Sequence, residues 1–198
     1  MHSKDTLRRK VTTVLKTIPA GYFCDVGIQV VRYISSLPAW SECTSVLAFL
    51  SFKYEIDTEP AVGAALFAGK AVFVPRINGG NLCFYRIPSL NGPWERSPLG
   101  IREPLPRAAG LLHEGYFPAL ILTPGLAFTQ SGKRLGRGKG FYDRFFAYLD
   151  GTEKSAGRYF ALGLCLEAQI MPDLPVDGRD RPVHGVCTEK GIQVVPIA

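Results

Sequence analysis

Histidine is scarce in this 198-residue chain, with three copies, and the five cysteines form no Cys-x-x-Cys pair and have no histidine set beside them. That spacing speaks against a zinc site, and an odd number of scattered thiols speaks against a disulfide framework. Cys24, Cys43, Cys83, Cys165 and Cys187 read as small core residues of a protein in a reducing compartment, so the cytoplasm is the expected location. No run approaches the ~18 apolar residues that a membrane span needs, and no apolar h-region follows the charges at Lys4, Asp5, Arg8, Arg9 and Lys10. A soluble protein is expected. Internal repeats, heptads and low-complexity tracts are also lacking.

What is present is apolar residue enough for a core, at 46%, and a basic balance. The net charge is +6 and the sequence pI about 9.1, which favours an anionic partner such as nucleic acid, a membrane surface or a phosphorylated or carboxylated ligand. Length and a mean hydropathy of +0.09 fit one compact domain over 1–198. A monomer is favoured.

Apolar residues Leu7, Val11, Val14, Leu15 and Ile18 recur at helical spacing over 4–18, with Ser3 placed to cap the start and Pro19-Ala20-Gly21 to end it. The same stretch is basic and amphipathic, as an organellar leader would be, but the motif below uses its residues, so it is kept within the fold. A second helix is predicted over 22–36 and a buried strand over 45–52, followed by a short helix at 59–68 and a strand at 71–77, a βαβ unit. Further strands are predicted at 82–87, 119–123 and 159–166, a helix at 141–149, and a terminal hairpin from 185–187 and 192–195. Between them, 88–110 holds Pro88, Pro93, Pro98, Pro104 and Pro106 and reads as a long surface loop that could close over a ligand. The alternation predicts an α/β layered fold whose central sheet is mostly parallel, with antiparallel exceptions at its edges and helices flanking it. Ligands in such sheets collect at the carboxyl ends of strands.

One such end opens into 123–146, TPGLAFTQSGKRLGRGKGFYDRFF, where Gly125, Gly132, Gly136, Gly138 and Gly140 alternate with Lys133, Arg134, Arg137 and Lys139. Glycines let backbone N–H groups approach an anion, the helix after Gly140 offers its positive end, and the cations add charge. This is a polyphosphate cradle, and Asp143, one turn into the helix, is placed to hold a magnesium ion bridging phosphates. It is not a Walker A loop, because no hydroxyl follows the lysine. A flexible basic loop and a nucleic-acid contact remain open on this pattern alone; in the latter Phe141, Tyr142 and Phe145 would stack on bases.

PGLAF, a short spacer and RLGRGKGFYD closely resemble the signature of the 5-formyltetrahydrofolate cyclo-ligase family. KDTLR at 4–8, FLSFKYEIDT at 49–58, VPR at 74–76 and LPVDGRDRPVHGVCTE at 174–189 extend the likeness over nearly the whole chain. The resemblance implies an enzyme that uses magnesium and ATP to convert 5-formyltetrahydrofolate to 5,10-methenyltetrahydrofolate, releasing ADP and phosphate. It implies that Lys4 and Arg8 reach the nucleotide, their four-residue spacing putting them on one helical face. Arg134, Leu135, Gly136, Arg137, Gly138, Lys139, Gly140, Phe141 and Tyr142 would form the ATP loop, with 137–141 also lining the folate site. Arg137 and Lys139 would stabilise the transferred phosphoryl group, and Asp143 with Asp180 would bind magnesium. Leu50 and Glu55, at the end of the strand over 45–52, would contact the folate.

Phe141 departs from a frequent tyrosine, Thr129 from a frequent acidic residue and His184 from a frequent aspartate of the family pattern. Both implied ligands are anionic, which accounts for the basic balance without nucleic acid or membrane. Two rivals remain: a basic RNA-binding module, and an enzyme of the same fold acting on another formylated or amide substrate.

Overall fold

The computed structural model describes residues 3–98, 100–106 and 110–196. The opening helix α1, Lys4–Leu15, starts where Ser3 accepts the Thr6 N–H at 3.3 Å, as the N-cap rule requires. It stops a turn short of Ile18. Helix α2 spans Ala20–Ser35, and a short α3, Pro38–Glu42, follows it; α3 is too brief to show a helical period in sequence. Strand β1, Ser45–Ala48, helix α4, Glu59–Phe67, and strand β2, Ala71–Asn78, form the βαβ unit, with β1 and β2 parallel. Beyond α4, Gly69 takes a φ of +73°, the left-handed conformation that glycine supplies past a helix end.

Strand β3, Asn81–Ile87, turns back antiparallel on β2. Next come β4, Trp94–Arg96, and β5, Arg102–Pro104, paired antiparallel, so the proline-rich segment contains a small hairpin. Residues 99 and 107–109 of that segment lie outside the described residues. After β6, Ala119–Pro124, the two-residue pair β7, Ala127–Phe128, and β8, Arg134–Leu135, shapes the glycine loop before helix α5, Phe141–Asp150. Strand β9, Tyr159–Leu164, and the hairpin of β10, Gly185–Thr188, and β11, Gly191–Val194, complete the fold.

The main sheet runs β11-β10-β9-β6-β1-β2-β3, with β10, β9, β6, β1 and β2 parallel and the two edge strands antiparallel. Side chains alternate across it, as strand geometry dictates. Val46, Ala48, Leu120, Leu122, Leu162 and Leu164 face α1, α2 and α4. Leu47, Ile121 and Ala161 face Phe145, Phe146 and Leu149 of α5. The result is a layered α/β fold, as the alternation of elements predicts. Among the described residues no helix is long and apolar enough to cross a membrane.

Candidate active site

The strand predicted over 45–52 ends at Ala48, because 49–58 satisfies its own backbone through side chains instead of a ladder. Thr58 donates its hydroxyl to the Phe49 carbonyl at 2.5 Å, Ser51 donates to the Ile56 carbonyl at 2.6 Å, and the Phe52 N–H donates to Glu55 Oε2 at 2.9 Å. The loop seats on α2 at Gly27, where a Cβ would stand 2.3 Å from the Asp57 carbonyl oxygen. Leu50 and Glu55 are therefore carried by a closed loop past the end of β1.

Neighbouring β6 ends beside it, and the glycine loop follows. Gly138 and Gly140 take φ of +96° and +64°, which side-chain-bearing residues resist. Gly140 caps α5 with no side-chain bond, so the first-turn N–H groups stay available to an anion. Between the two segments lies a cavity of about 880 Å³. It is lined by Lys4, Arg8, Leu50, Glu55, every residue from Arg134 to Asp143, and Asp180. The structure thus brings to one cavity every residue to which the family resemblance assigns a binding or catalytic role, while Gly132 and Lys133 of the glycine-basic stretch are not among its lining residues, Lys133 pairing with Asp173 at 2.7 Å.

Within it, charges are paired. Arg137 donates through Nη2 and Nε to Glu55 Oε1 at 3.0 and 3.2 Å and through Nη2 to the Lys53 carbonyl at 3.1 Å, with its guanidinium 5.7 Å from the Phe52 ring centre. Burial pushes the Glu55 carboxyl above its ordinary value, opposed by Arg137 and the Phe52 N–H. Arg134 is buried and donates to Asp143 Oδ1 at 2.6 Å, while its Nε and the Tyr142 hydroxyl are buried without a partner among the described residues. Burial raises the Tyr142 phenol far above its usual range.

At the far wall Lys4 donates to Asp180 at 2.6 Å and to Asp177 at 2.7 Å. Burial lowers the Lys4 ammonium and the two carboxylates more than offset that, leaving it raised. Arg8 donates to the Gly136 carbonyl at 2.9 Å and packs 3.3 Å from the position a Gly138 Cβ would take.

No group of three or more His, Cys, Asp or Glu side chains suited to a metal occurs among the described residues. Magnesium is commonly held by one or two carboxylates together with substrate phosphates, so a protein cage is not required. Asp143 Oδ1 takes Arg134 and the Arg181 N–H at 3.2 Å, and Asp180 Oδ2 takes Lys4 and the Asp177 N–H at 2.7 Å. Each carboxylate keeps a second oxygen without a protein donor among the described residues, so this donor set fits such an ion.

Several lining residues escaped the sequence reading. Ile77, Leu82 and Arg102 reach the cavity from β2, β3 and the β4–β5 hairpin, Asp177 from the tail, and Arg144 from α5; Arg144, adjacent to the motif, and Asp177, within the family-like stretch 174–189, carried a local signal. Of the departures, Phe141 lines the cavity, whereas Thr129 and His184 are not among its lining residues. Thr129 accepts the Lys133 N–H at 3.0 Å within a turn, and His184 Nδ1 accepts the Ala161 N–H at 2.9 Å. Tyr142 and Phe145 are buried against Phe84 and Phe146, so two of the three rings of the base-stacking alternative are not available to a nucleic acid.

Comparison with known proteins converges on one family. The model of the 5-formyltetrahydrofolate cyclo-ligase family matches residues 1–189. The chain is 32% identical to the 5-formyltetrahydrofolate cyclo-ligase of Escherichia coli K12 over 170 residues, covering 83% of this chain and 88% of that one. It is 26% identical to a probable 5-formyltetrahydrofolate cyclo-ligase of Schizosaccharomyces pombe over 196 residues, 96% of each. The structure of Aquifex aeolicus 5,10-methenyltetrahydrofolate synthetase superimposes with a TM-score of 0.81 at 27% identity, covering 98% of this chain and 94% of that one. With the motif, the sheet and the charged cavity all falling on that match, the chain belongs to the 5-formyltetrahydrofolate cyclo-ligase family.

Proposed function

We propose that the protein is a 5-formyltetrahydrofolate cyclo-ligase, converting 5-formyltetrahydrofolate and ATP to 5,10-methenyltetrahydrofolate, ADP and phosphate. The observation that carries this reading is the meeting of the glycine-basic loop, Glu55 and the Asp143–Asp180 pair in one cavity of a chain from this family. The rival of a different formylated substrate has no such support, since the relatives and the solved structure that match over most of the chain are named for the folate reaction.

In the proposed reaction the formyl oxygen attacks the γ-phosphorus of ATP and ADP departs. The N10 amine then attacks the formyl carbon, loses its proton, and the phosphate leaves with the former formyl oxygen. No protein nucleophile is needed. Positioned cations do the main work in phosphoryl transfer, and Arg137 and Lys139 fill that role, while Arg8 and the N–H groups of 136–141 hold the phosphates. Arg137 leaves Glu55 for the phosphoryl group, and Glu55 then accepts from pterin N–H groups. Leu50 and Phe141 bound the folate on its apolar side. Asp143 and Asp180 would hold magnesium, which when bound neutralises phosphate charge. All five cysteines are free, three of them buried, and we place the enzyme in the cytoplasm.

The test is methenyltetrahydrofolate absorbance after mixing protein, 5-formyltetrahydrofolate and magnesium-ATP. Product formed by wild type and lost in Asp143→Ala is the expected result. Folded wild-type protein that binds ATP but forms no product would overturn the folate assignment.

A further inference from the structure

Arg144, the residue after Asp143, is engaged in a way the phosphate cradle does not require. Helical side chains lean back toward the N-terminus, and this one returns over the loop it follows. Its Nη1 donates to the Lys139 carbonyl at 3.0 Å, its Nη2 donates to the Gly80 carbonyl at 2.8 Å, and its guanidinium lies 5.3 Å from the Phe141 ring centre. A Cβ at Gly140 would stand 3.1 Å from Nη1, so the glycine that caps α5 also leaves room for the fork. Gly80 belongs to the turn between β2 and β3. One side chain therefore ties the end of the glycine loop to the edge of the main sheet and covers the ring beside it.

From this geometry we infer that Arg144 is a positioning residue that sets Lys139 against the phosphoryl group and Phe141 against the folate; the inference rests on the function proposed above. The end of the glycine loop has no other side-chain anchor among the described residues: Arg8 holds it at Gly136 and Arg137 holds Glu55, both on the near side of Gly138. Gly138 and Gly140, at φ of +96° and +64°, restrict the intervening backbone less than side-chain-bearing residues would, and a misplacement of about 1 Å can cost on the order of 100-fold in rate. The fork matters more than the charge. A guanidinium reaches two carbonyls in fixed directions and stacks on a ring, which a lysine ammonium does not reproduce.

The experiment compares Arg144→Ala and Arg144→Lys with wild type, alone and combined with Lys139→Ala. Both single variants should lower kcat by about 30- to 100-fold and raise the KM for 5-formyltetrahydrofolate, with the KM for magnesium-ATP within about threefold because Arg8 and the near half of the loop are intact. In the Lys139→Ala background, Arg144→Ala should lower kcat by less than about threefold more, since that effect acts through a side chain already removed, while the KM for 5-formyltetrahydrofolate should still rise through Phe141. Full activity in Arg144→Lys, or kcat effects that multiply in the double variant, would overturn the inference. Hydrogen exchange of the 139–142 amides provides a readout independent of turnover. Faster exchange there in Arg144→Lys at unchanged melting temperature is expected; unchanged exchange would refute the anchoring even if the folate reaction itself proved wrong.

Discussion

Two arginines three residues apart on the same loop, Arg134 and Arg137, each hold a carboxylate, and the two pairs are built in opposite ways. Arg134 is the hidden partner: its side chain is 4% exposed while that of Asp143 is 21% exposed, and both come from the loop and the helix it enters. In the other pair the arginine is 43% exposed and the carboxylate of Glu55 only 12%, and 82 residues separate them. A buried cation locked to its own helix is scaffold, because moving it would strand charge in a poor solvent. An exposed cation keeps its own charge in water as it swings to a ligand, and the buried carboxylate it leaves can be met by the ligand's donors or take up a proton, which its burial already favours. The motif writes both as arginine; burial distinguishes their work.

If that distinction holds, removing the mobile arginine should break chemistry and spare the fold. Arg137→Ala is expected to lower kcat by about 100- to 1,000-fold, the scale for losing one electrostatic stabiliser of a transition state. Its stability in urea should change by less than about 1 kcal/mol. Arg134→Ala should do the reverse in emphasis, costing about 2 kcal/mol of stability, below the range for fully buried pairs because Asp143 is partly solvated. Equilibrium unfolding of the two proteins side by side decides the matter; equal stability losses would erase the contrast.

A smaller effect sharpens it through pH. Burial raises the Glu55 carboxyl above its ordinary 4.5, so the folded protein holds that proton more tightly than the unfolded chain. This contribution to stability is fully present below 4.5 and is lost as pH rises through the raised value. Folate binding should run the other way, weakening as pH falls through the raised value, because a protonated Glu55 accepts less well. Titrating folate affinity should show that acid limb in wild type, no limb in Glu55→Gln, and a limb moved to higher pH in Arg137→Gln, which removes the opposing charge. Glu55→Gln should also be at least as stable as wild type at neutral pH. Smallest is Lys4→Ala: magnesium-ATP affinity by calorimetry should fall by about fivefold, with a shallower dependence on salt.

Much of this was legible before the fold was seen, for local reasons. Ser3 as a cap, Pro19-Ala20-Gly21 as a helix end and the apolar runs of β1, β6 and β9 report short-range rules, whereas the five-residue α3 shows no period. The early end of β1 was hidden because Thr58 and Ser51 close the 49–58 loop through hydroxyl bonds that leave no periodic trace. The hairpin of β4 and β5 was hidden by its prolines. It is held by Arg76, which donates to the Pro104 carbonyl at 3.0 Å and pairs with Glu95 at 2.6 Å, and by Arg102 pairing with Glu59. Those partners are far apart in sequence, as are Arg137 and Glu55, so only the fold could show which charges meet. The glycine-basic loop, the proposed phosphate cradle, was readable because its glycines and cations are contiguous.

Phosphoryl transfer to the formyl oxygen within that cradle is the central step proposed, and an oxygen label tests it most directly. Substrate carrying heavy oxygen in the 5-formyl group, turned over with magnesium-ATP, should yield inorganic phosphate containing one labelled atom per methenyltetrahydrofolate formed. Unlabelled phosphate, with the heavy oxygen released to water, would contradict attack of the formyl oxygen on ATP and with it the roles given to Arg137 and Lys139.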